Sequence, residues 1–204
     1  MQTWELFFRD RITKIFNEKK RVIDIGGGLR ISKKQGNRYD PKRLWALPLA
    51  EKVDYKILDP VSDYSPDIVG DIHSLPFRDN SEEAILCISV LEHVENPVGA
   101  VDELYRVLVS GGYLFVYIPF LFYYHAEQGY YKDYWRFTRD TIGLLFKNFS
   151  KIEIEPVRGA LSTWLHLSPL GKFRFLAICA NALDQLTGKN LSNQVSGYYI
   201  FLRK

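Results

Sequence analysis

Near the amino end of the chain, Arg21-Val22-Ile23-Asp24-Ile25 runs directly into Gly26-Gly27-Gly28. A short β-branched run that ends in a glycine turn reads as a buried strand stopping abruptly. Such a turn lets backbone N–H groups approach a nucleotide-type ligand, although glycine turns also form wherever a chain reverses sharply. The segments that follow fix the architecture. Further strands are expected at 55–60, 67–71, 84–90, 113–118, 151–155 and 197–202. The run 84–90 is apolar without interruption, as in a parallel sheet buried on both faces. An opening helix over 3–18 carries Trp4, Phe7, Phe8, Ile12, Ile15 and Phe16 near helical spacing. A second helix is capped by Asn96, takes Pro97 at its first position and ends before Gly111. A third begins at Thr138 and buries Ile142, Leu145, Phe146 and Phe149. Strand alternating with helix argues for a doubly wound α/β fold.

With 204 residues, no internal repeat and no low-complexity linker, one domain over 1–204 is expected. Apolar residues at 47% and charged residues at 25% exclude a disordered chain, a collagen and a coiled coil. A net charge of +3 is too small to make nucleic acid the main partner. Cys87 and Cys179 sit in apolar stretches, which suggests neither a disulfide framework nor a zinc site. The first twenty residues lack a signal-peptide pattern, so a cytoplasmic protein is the expectation. The uncharged run 107–126 is long enough to span a bilayer, but Gly111, Gly112 and Pro119 break it, and no transmembrane span is expected. The segment 30–50, with Lys33, Lys34, Arg38, Lys42 and Arg43, is basic and reads as a loop with short helical pieces.

Three acids mark the ligand side. Asp24, Asp59 and Asp71 each close one of the first three strands. Each alone is an ordinary turn former. In an open α/β sheet, however, those strand ends share one crevice, and a carboxylate such as Asp59 there can accept hydrogen bonds from both ribose hydroxyls of a nucleoside.

With these stretches in order, the chain resembles the class I S-adenosylmethionine-dependent methyltransferases, in particular the type-11 group. The resemblance is carried by Val22–Gly28, Ile57-Leu58-Asp59, Gly70–Phe77, Ile88-Ser89-Val90-Leu91-Glu92-His93-Val94, Glu103–Leu108 and Gly111–Leu114, and it covers roughly 20–155. It implies a mostly parallel, seven-stranded, Rossmann-like sheet with an antiparallel C-terminal edge strand. It also implies S-adenosylmethionine as cofactor. Asp24 and Gly26, Gly27 and Gly28 would lie at its methionine part, Asp59 and Pro60 at the ribose, Asp71, Ile72 and His73 at adenine, and Ser89, Val90 and Leu91 at the sulfonium. Arg30 departs from the family, which places a third glycine there. A nicotinamide-dependent oxidoreductase is the rival enzyme, and a catalytically silent cofactor-binding module is the rival of another class.

Half of the residues from 120 to 137 are aromatic, interleaved with His125, Glu127, Lys132, Asp133 and Arg136. The segment leaves the carboxyl end of a central strand and is expected to form an acceptor loop. Tyr123, Tyr124, Tyr130, Tyr131 and Trp135 are the candidate acceptor contacts, with closure of the core as the competing role. The stretch 133–138 is similar to one in type-11 methyltransferases, some of them tied to surface-polysaccharide pathways. This implies a small hydroxylated or sugar-like acceptor. Asp133 and Arg136 are expected to pair across one turn. His125 is the expected general base and His93 its competitor. His166 reads as a structural histidine. No metal-spaced histidine pair, serine nucleophile elbow or phosphate loop is present, and no metal is expected. The apolar segment 160–186 has two readings: a helix pair covering the last strands, or a face for a second copy or a membrane surface.

Overall fold

In β4 (Glu82–Ile88) of the computed structural model, Ala84, Leu86 and Ile88 join one apolar cluster while Ile85 and Cys87 join another. β5 (Leu108–Pro119) does the same, with Tyr113 and Phe115 on one face and Leu114, Val116 and Ile118 on the other. Side chains of a strand alternate between faces, so an uninterrupted apolar run requires a covering layer on each side. The structure describes residues 2–31 and 39–204; Lys33, Lys34 and Arg38 of the basic segment lie outside the described residues.

Among the described residues, the other strands are β1 (Arg21–Ile25), β2 (Asp54–Asp59), β3 (Ile68–Val69), β6 (Lys151–Val157) and β7 (Gly197–Arg203). They form one seven-stranded sheet in the order β3-β2-β1-β4-β5-β7-β6. β1 pairs in parallel with β2 and β4, as do β2 with β3 and β4 with β5. The expected antiparallel C-terminal strand is there, one place in from the edge: β7 lies between β5 and β6 and is antiparallel to both, leaving β6 outermost. The chain leaves β1 toward β2 and β3, then returns to build β4 and β5 on the other side. The sheet therefore has its topological switch between β1 and β4, where ligands bind in such folds.

One face is covered by α1 (Thr3–Glu18), through Phe8, Ile12, Ile15 and Phe16, and by the short helix α2 (Leu47–Ala50). The other is covered by α3 (Pro97–Val107) and α4 (Arg139–Leu145). Both of these helices start on side-chain caps that satisfy otherwise orphaned amides. Asn96 Oδ1 accepts from Gly99 N at 3.0 Å, and Thr138 Oγ1 accepts from Thr141 N at 3.4 Å.

The segment 160–186 forms α5 (Ala160–Leu167) and α6 (Arg174–Leu186). Buried Asp184 ties the two together by accepting from the Leu161 and Ser162 amides, each at 2.9 Å. The helix pair does not spend its apolar side chains on the last strands, as its composition suggested. Trp164, Phe175, Ile178 and Leu186 stay exposed, and α1 is the helix that reaches β6 and β7, with Arg11 paired to Glu153 at 2.6 Å and Phe8 against Tyr199. Among the described residues no helix is long and apolar enough to cross a membrane.

Candidate active site

The glycine turn is held from beneath. Asp24, fully buried, accepts from the Gly28 amide at 3.0 Å through one oxygen. Its other oxygen accepts from the Leu29 amide at 3.0 Å and the Tyr55 hydroxyl at 2.6 Å. Burial pushes the Asp24 carboxyl up to about 6 against the pull of these three donors. Gly26 has φ +74°, and a Cβ there would meet Val90 Cγ2 at 2.7 Å; one on Gly28 would lie 2.4 Å from the Ile88 carbonyl oxygen. The turn is thus pressed against the end of β4, which only glycine permits.

Above the turn lies a cavity of about 1730 Å³, lined among others by Gly26, Gly27, Gly28, Asp59, Pro60, Asp71, Ile72, His73, Ser89 and Val90. Sites for one drug-sized ligand hold roughly 300–1,000 Å³, so this volume has room for two ligands. Asp59 ends β2 with its carboxylate almost wholly buried, and one oxygen accepts from the Val61 amide at 2.9 Å. Asp71 accepts from the His73 amide at 2.9 Å and contacts His73 Nδ1 at 2.8 Å, and these contacts hold its carboxyl below the usual range against partial burial. Two expected contacts are corrected. Asp24 and Leu91 do not line the cavity: Asp24 is used up in bracing the turn, and Leu91 points into the core with no exposed surface.

Tyr123, Tyr124, Tyr130 and Tyr131 also line the cavity, with Phe122 and His125, and Tyr130 reaches the segment after β2, where its hydroxyl donates to Asp63 at 3.1 Å. Trp135 does not line it; its indole N–H is taken up by the Val94 carbonyl at 2.8 Å. The loop is fastened to the segment after β4 at several points. The Tyr134 and Trp135 amides donate to the Glu92 carbonyl at 2.8 and 3.2 Å, and the Tyr134 hydroxyl donates to Glu95 at 2.8 Å. Asp133 and Arg136 form a two-pronged pair at 2.6 and 2.7 Å. Burial pushes the Asp133 carboxyl up, but Arg136 and the amide and ring of His125 outweigh it and hold it down at about 2.

His93 and His125, 32 positions apart, meet edge to face with ring centres 4.8 Å apart. His93 Nδ1 lies 2.7 Å from the Lys132 carbonyl oxygen, and His125 Nδ1 lies 3.0 Å from that of Tyr123. A carbonyl only accepts, so both Nδ1 atoms carry the proton and both Nε2 atoms are left to face the other way. They face Glu92, whose Oε1 is 3.9 Å from His93 Nε2 and 3.6 Å from His125 Nε2. The Glu92 carboxylate raises the pKa of His125 against partial burial, whereas burial lowers that of His93 despite the same carboxylate.

Glu92 is the residue the sequence concealed. It is fully buried, and neither carboxylate oxygen has a hydrogen-bond partner among the described residues. Its one signal was an acid directly after an apolar strand, in Leu91-Glu92-His93. His166, expected as a structural histidine, also reaches the cavity wall, where its Nε2 is 3.2 Å from the Tyr123 hydroxyl. The described part of the basic segment lines the mouth: Lys42 and Arg43 are there, with the Arg43 guanidinium 3.8 Å over the Phe8 ring.

A model of a methyltransferase domain matches residues 42–116. A stretch of 49 residues is 47% identical to an uncharacterized protein of Methanocaldococcus jannaschii, covering 24% of this chain and 21% of that protein. The chain thus matches only about a fifth of that relative's length. The fold is similar to a SAM-dependent methyltransferase from Archaeoglobus fulgidus, with a TM-score of 0.60, 15% identity and 98% and 94% of the two chains covered. It is also similar to a possible histamine N-methyltransferase from Thermotoga maritima, with a TM-score of 0.55, 18% identity and coverage of 98% and 94%. At these identities the likeness speaks for the fold.

Proposed function

We propose that this chain is a class I S-adenosylmethionine-dependent methyltransferase, a reading its domain match and its fold support, and that it methylates a small hydroxylated or sugar-like acceptor. One observation carries the reading: a single cavity at the switch of the sheet is lined by a glycine turn, strand-end acids and a tyrosine-rich loop together. The residues present fit the cofactor. Buried Asp59 offers a carboxylate at the end of β2, and Gly26 and Gly27, both with positive φ, bare their backbone to the cavity. Asp59 and Pro60 would hold the ribose, Asp71, Ile72 and His73 the adenine, and Ser89 and Val90 the sulfur side.

When bound, S-adenosylmethionine supplies an electrophilic methyl group on sulfur. The chain's own task is to align an acceptor oxygen with that methyl and to keep water away, a proximity effect. Tyr123, Tyr124, Tyr130 and Tyr131 present flat apolar faces with polar rims, which suits a sugar ring. Glu92, His93 and His125 line the same cavity, so an acceptor hydroxyl bound against the tyrosines would meet their polar groups. Sugars of surface-polysaccharide metabolism belong to this acceptor class. Calorimetry with S-adenosylmethionine, followed by a labelled-methyl transfer screen over hydroxylated acceptors, tests the reading. Cofactor binding followed by transfer to a hydroxyl is expected. Absence of cofactor binding overturns the reading, and binding without any turnover reduces it to a silent cofactor-binding module.

A further inference from the structure

We propose that Glu92, His93 and His125 form a binding site for a divalent first-row transition-metal ion on the acceptor side of the cavity. One ligand atom from each residue lies within 4.8 Å of the others. Metal–nitrogen and metal–oxygen bonds of about 2.0–2.2 Å put neighbouring ligand atoms roughly 3–3.5 Å apart, so the widest pair needs to close by about 1.3–1.8 Å, a side-chain adjustment.

Three independent features point to a cation. The first is Glu92 itself, a fully buried carboxylate with no donor on either oxygen among the described residues. Buried carboxylates are normally paired, hydrogen-bonded or metal-bound, and among the described residues this one meets only the two imidazoles at ion-pair distance. The second is the orientation of those imidazoles. Each donates Nδ1–H outward to a backbone carbonyl, Lys132 for His93 and Tyr123 for His125, which aims the basic Nε2 inward. Asp133 backs His125 as well, with Oδ2 3.2 Å from Nδ1. Histidine ligands of metals are oriented by just such outer partners. The third is access: Glu92, His93 and His125 all line the cavity, so the coordination positions they leave open face a ligand.

Two imidazoles and one carboxylate favour Zn²⁺, Fe²⁺, Co²⁺ or Ni²⁺ over Mg²⁺ or Ca²⁺, which take oxygen ligands. An acceptor oxygen in an open position would be oriented toward the methyl group. That last step rests on the methyl-transfer reading, whereas the metal site does not.

The test uses the whole chain, stripped with chelator, and Co²⁺ alone as probe, followed by visible absorption and calorimetry. Wild type is expected to take up one equivalent with ligand-field bands in the visible. Glu92→Gln and His125→Ala should each weaken uptake by more than about 100-fold, beyond what loss of an outer-shell partner costs. His166→Ala, a cavity histidine outside the group, should bind like wild type. Circular dichroism checks each variant, and His93→Gln replaces any that fails to fold. No saturable uptake by wild type, or uptake unchanged in the ligand variants, overturns the site. S-adenosylmethionine is titrated separately into the stripped protein. Cofactor binding without metal uptake sinks only the metal site, and metal uptake without cofactor binding sinks only the methyltransferase reading.

Discussion

The hydroxyl of Tyr55, on β2, donates to the Asp24 carboxylate on the neighbouring strand β1 at 2.6 Å. This bond ties the glycine turn to the sheet, and the burial of Asp24 makes the stability of the turn depend on pH. Burial raises the folded-state pKa of Asp24 to about 6, above the value of about 3.9 in an unfolded chain. The folded protein therefore keeps a proton that the unfolded chain releases between those values. Asp24's contribution to stability is full below about pH 4 and is lost as pH rises through about 6. Tyr55→Phe removes a donor to the charged form, so it should cost about 1.5–3 kcal/mol at pH 7.5 and less near pH 4. Urea unfolding at both pH values checks this; an equal loss at both would place Asp24 in one protonation state throughout.

Asp59→Ala should weaken S-adenosylmethionine binding by at least about tenfold, since each hydrogen bond from a ribose hydroxyl to a carboxylate is worth roughly 1.5–3 kcal/mol. Asp59 also accepts from the Val61 amide, so thermal melting must accompany the calorimetry. Unchanged affinity would remove Asp59 from the cofactor site.

Arg136→Ala should cost about 3 kcal/mol or more. The Asp133 side chain has no exposed surface, and the substitution takes away its two-pronged partner. Arg136 also donates to the carbonyls of Phe122 and Tyr123, so the 120–137 loop should lose order first. Hydrogen exchange over 120–137 in wild type and variant measures both effects.

Phe175→Gln and Leu186→Gln should each change stability by less than about 0.5 kcal/mol, because these side chains are 73% and 83% exposed. Chemical unfolding combined with light scattering is the check. A clear loss of stability together with a change in mass would mean that another body covers this face of α5 and α6.

The sheet and its two layers were legible because they rest on local signals. Ala84 to Ile88 is apolar at every position, and Asn96-Pro97 announces α3. The place of β7 was not readable, since its pairing with β5 and β6 is a long-range choice between similar apolar runs. Glu92 was hidden for a related reason. It is covered by a loop whose contacts come from more than forty positions away, where the Tyr134 and Trp135 amides donate to its carbonyl. Composition marks Trp135 as aromatic but does not say that its indole is taken up by the Val94 carbonyl.

The fastening of the 120–137 loop to the segment 91–95 has a consequence for building new specificities. The carbonyl of Glu92, the carbonyl of Val94 and the carboxylate of Glu95 all receive bonds from Tyr134 or Trp135, while Lys132 holds His93 in return. The two stretches are a single graft. A chimera that imports a foreign 120–137 loop without its matching 91–95 stretch would keep the glycine turn and lose the seam, so recombination between relatives should succeed only when both pieces travel together.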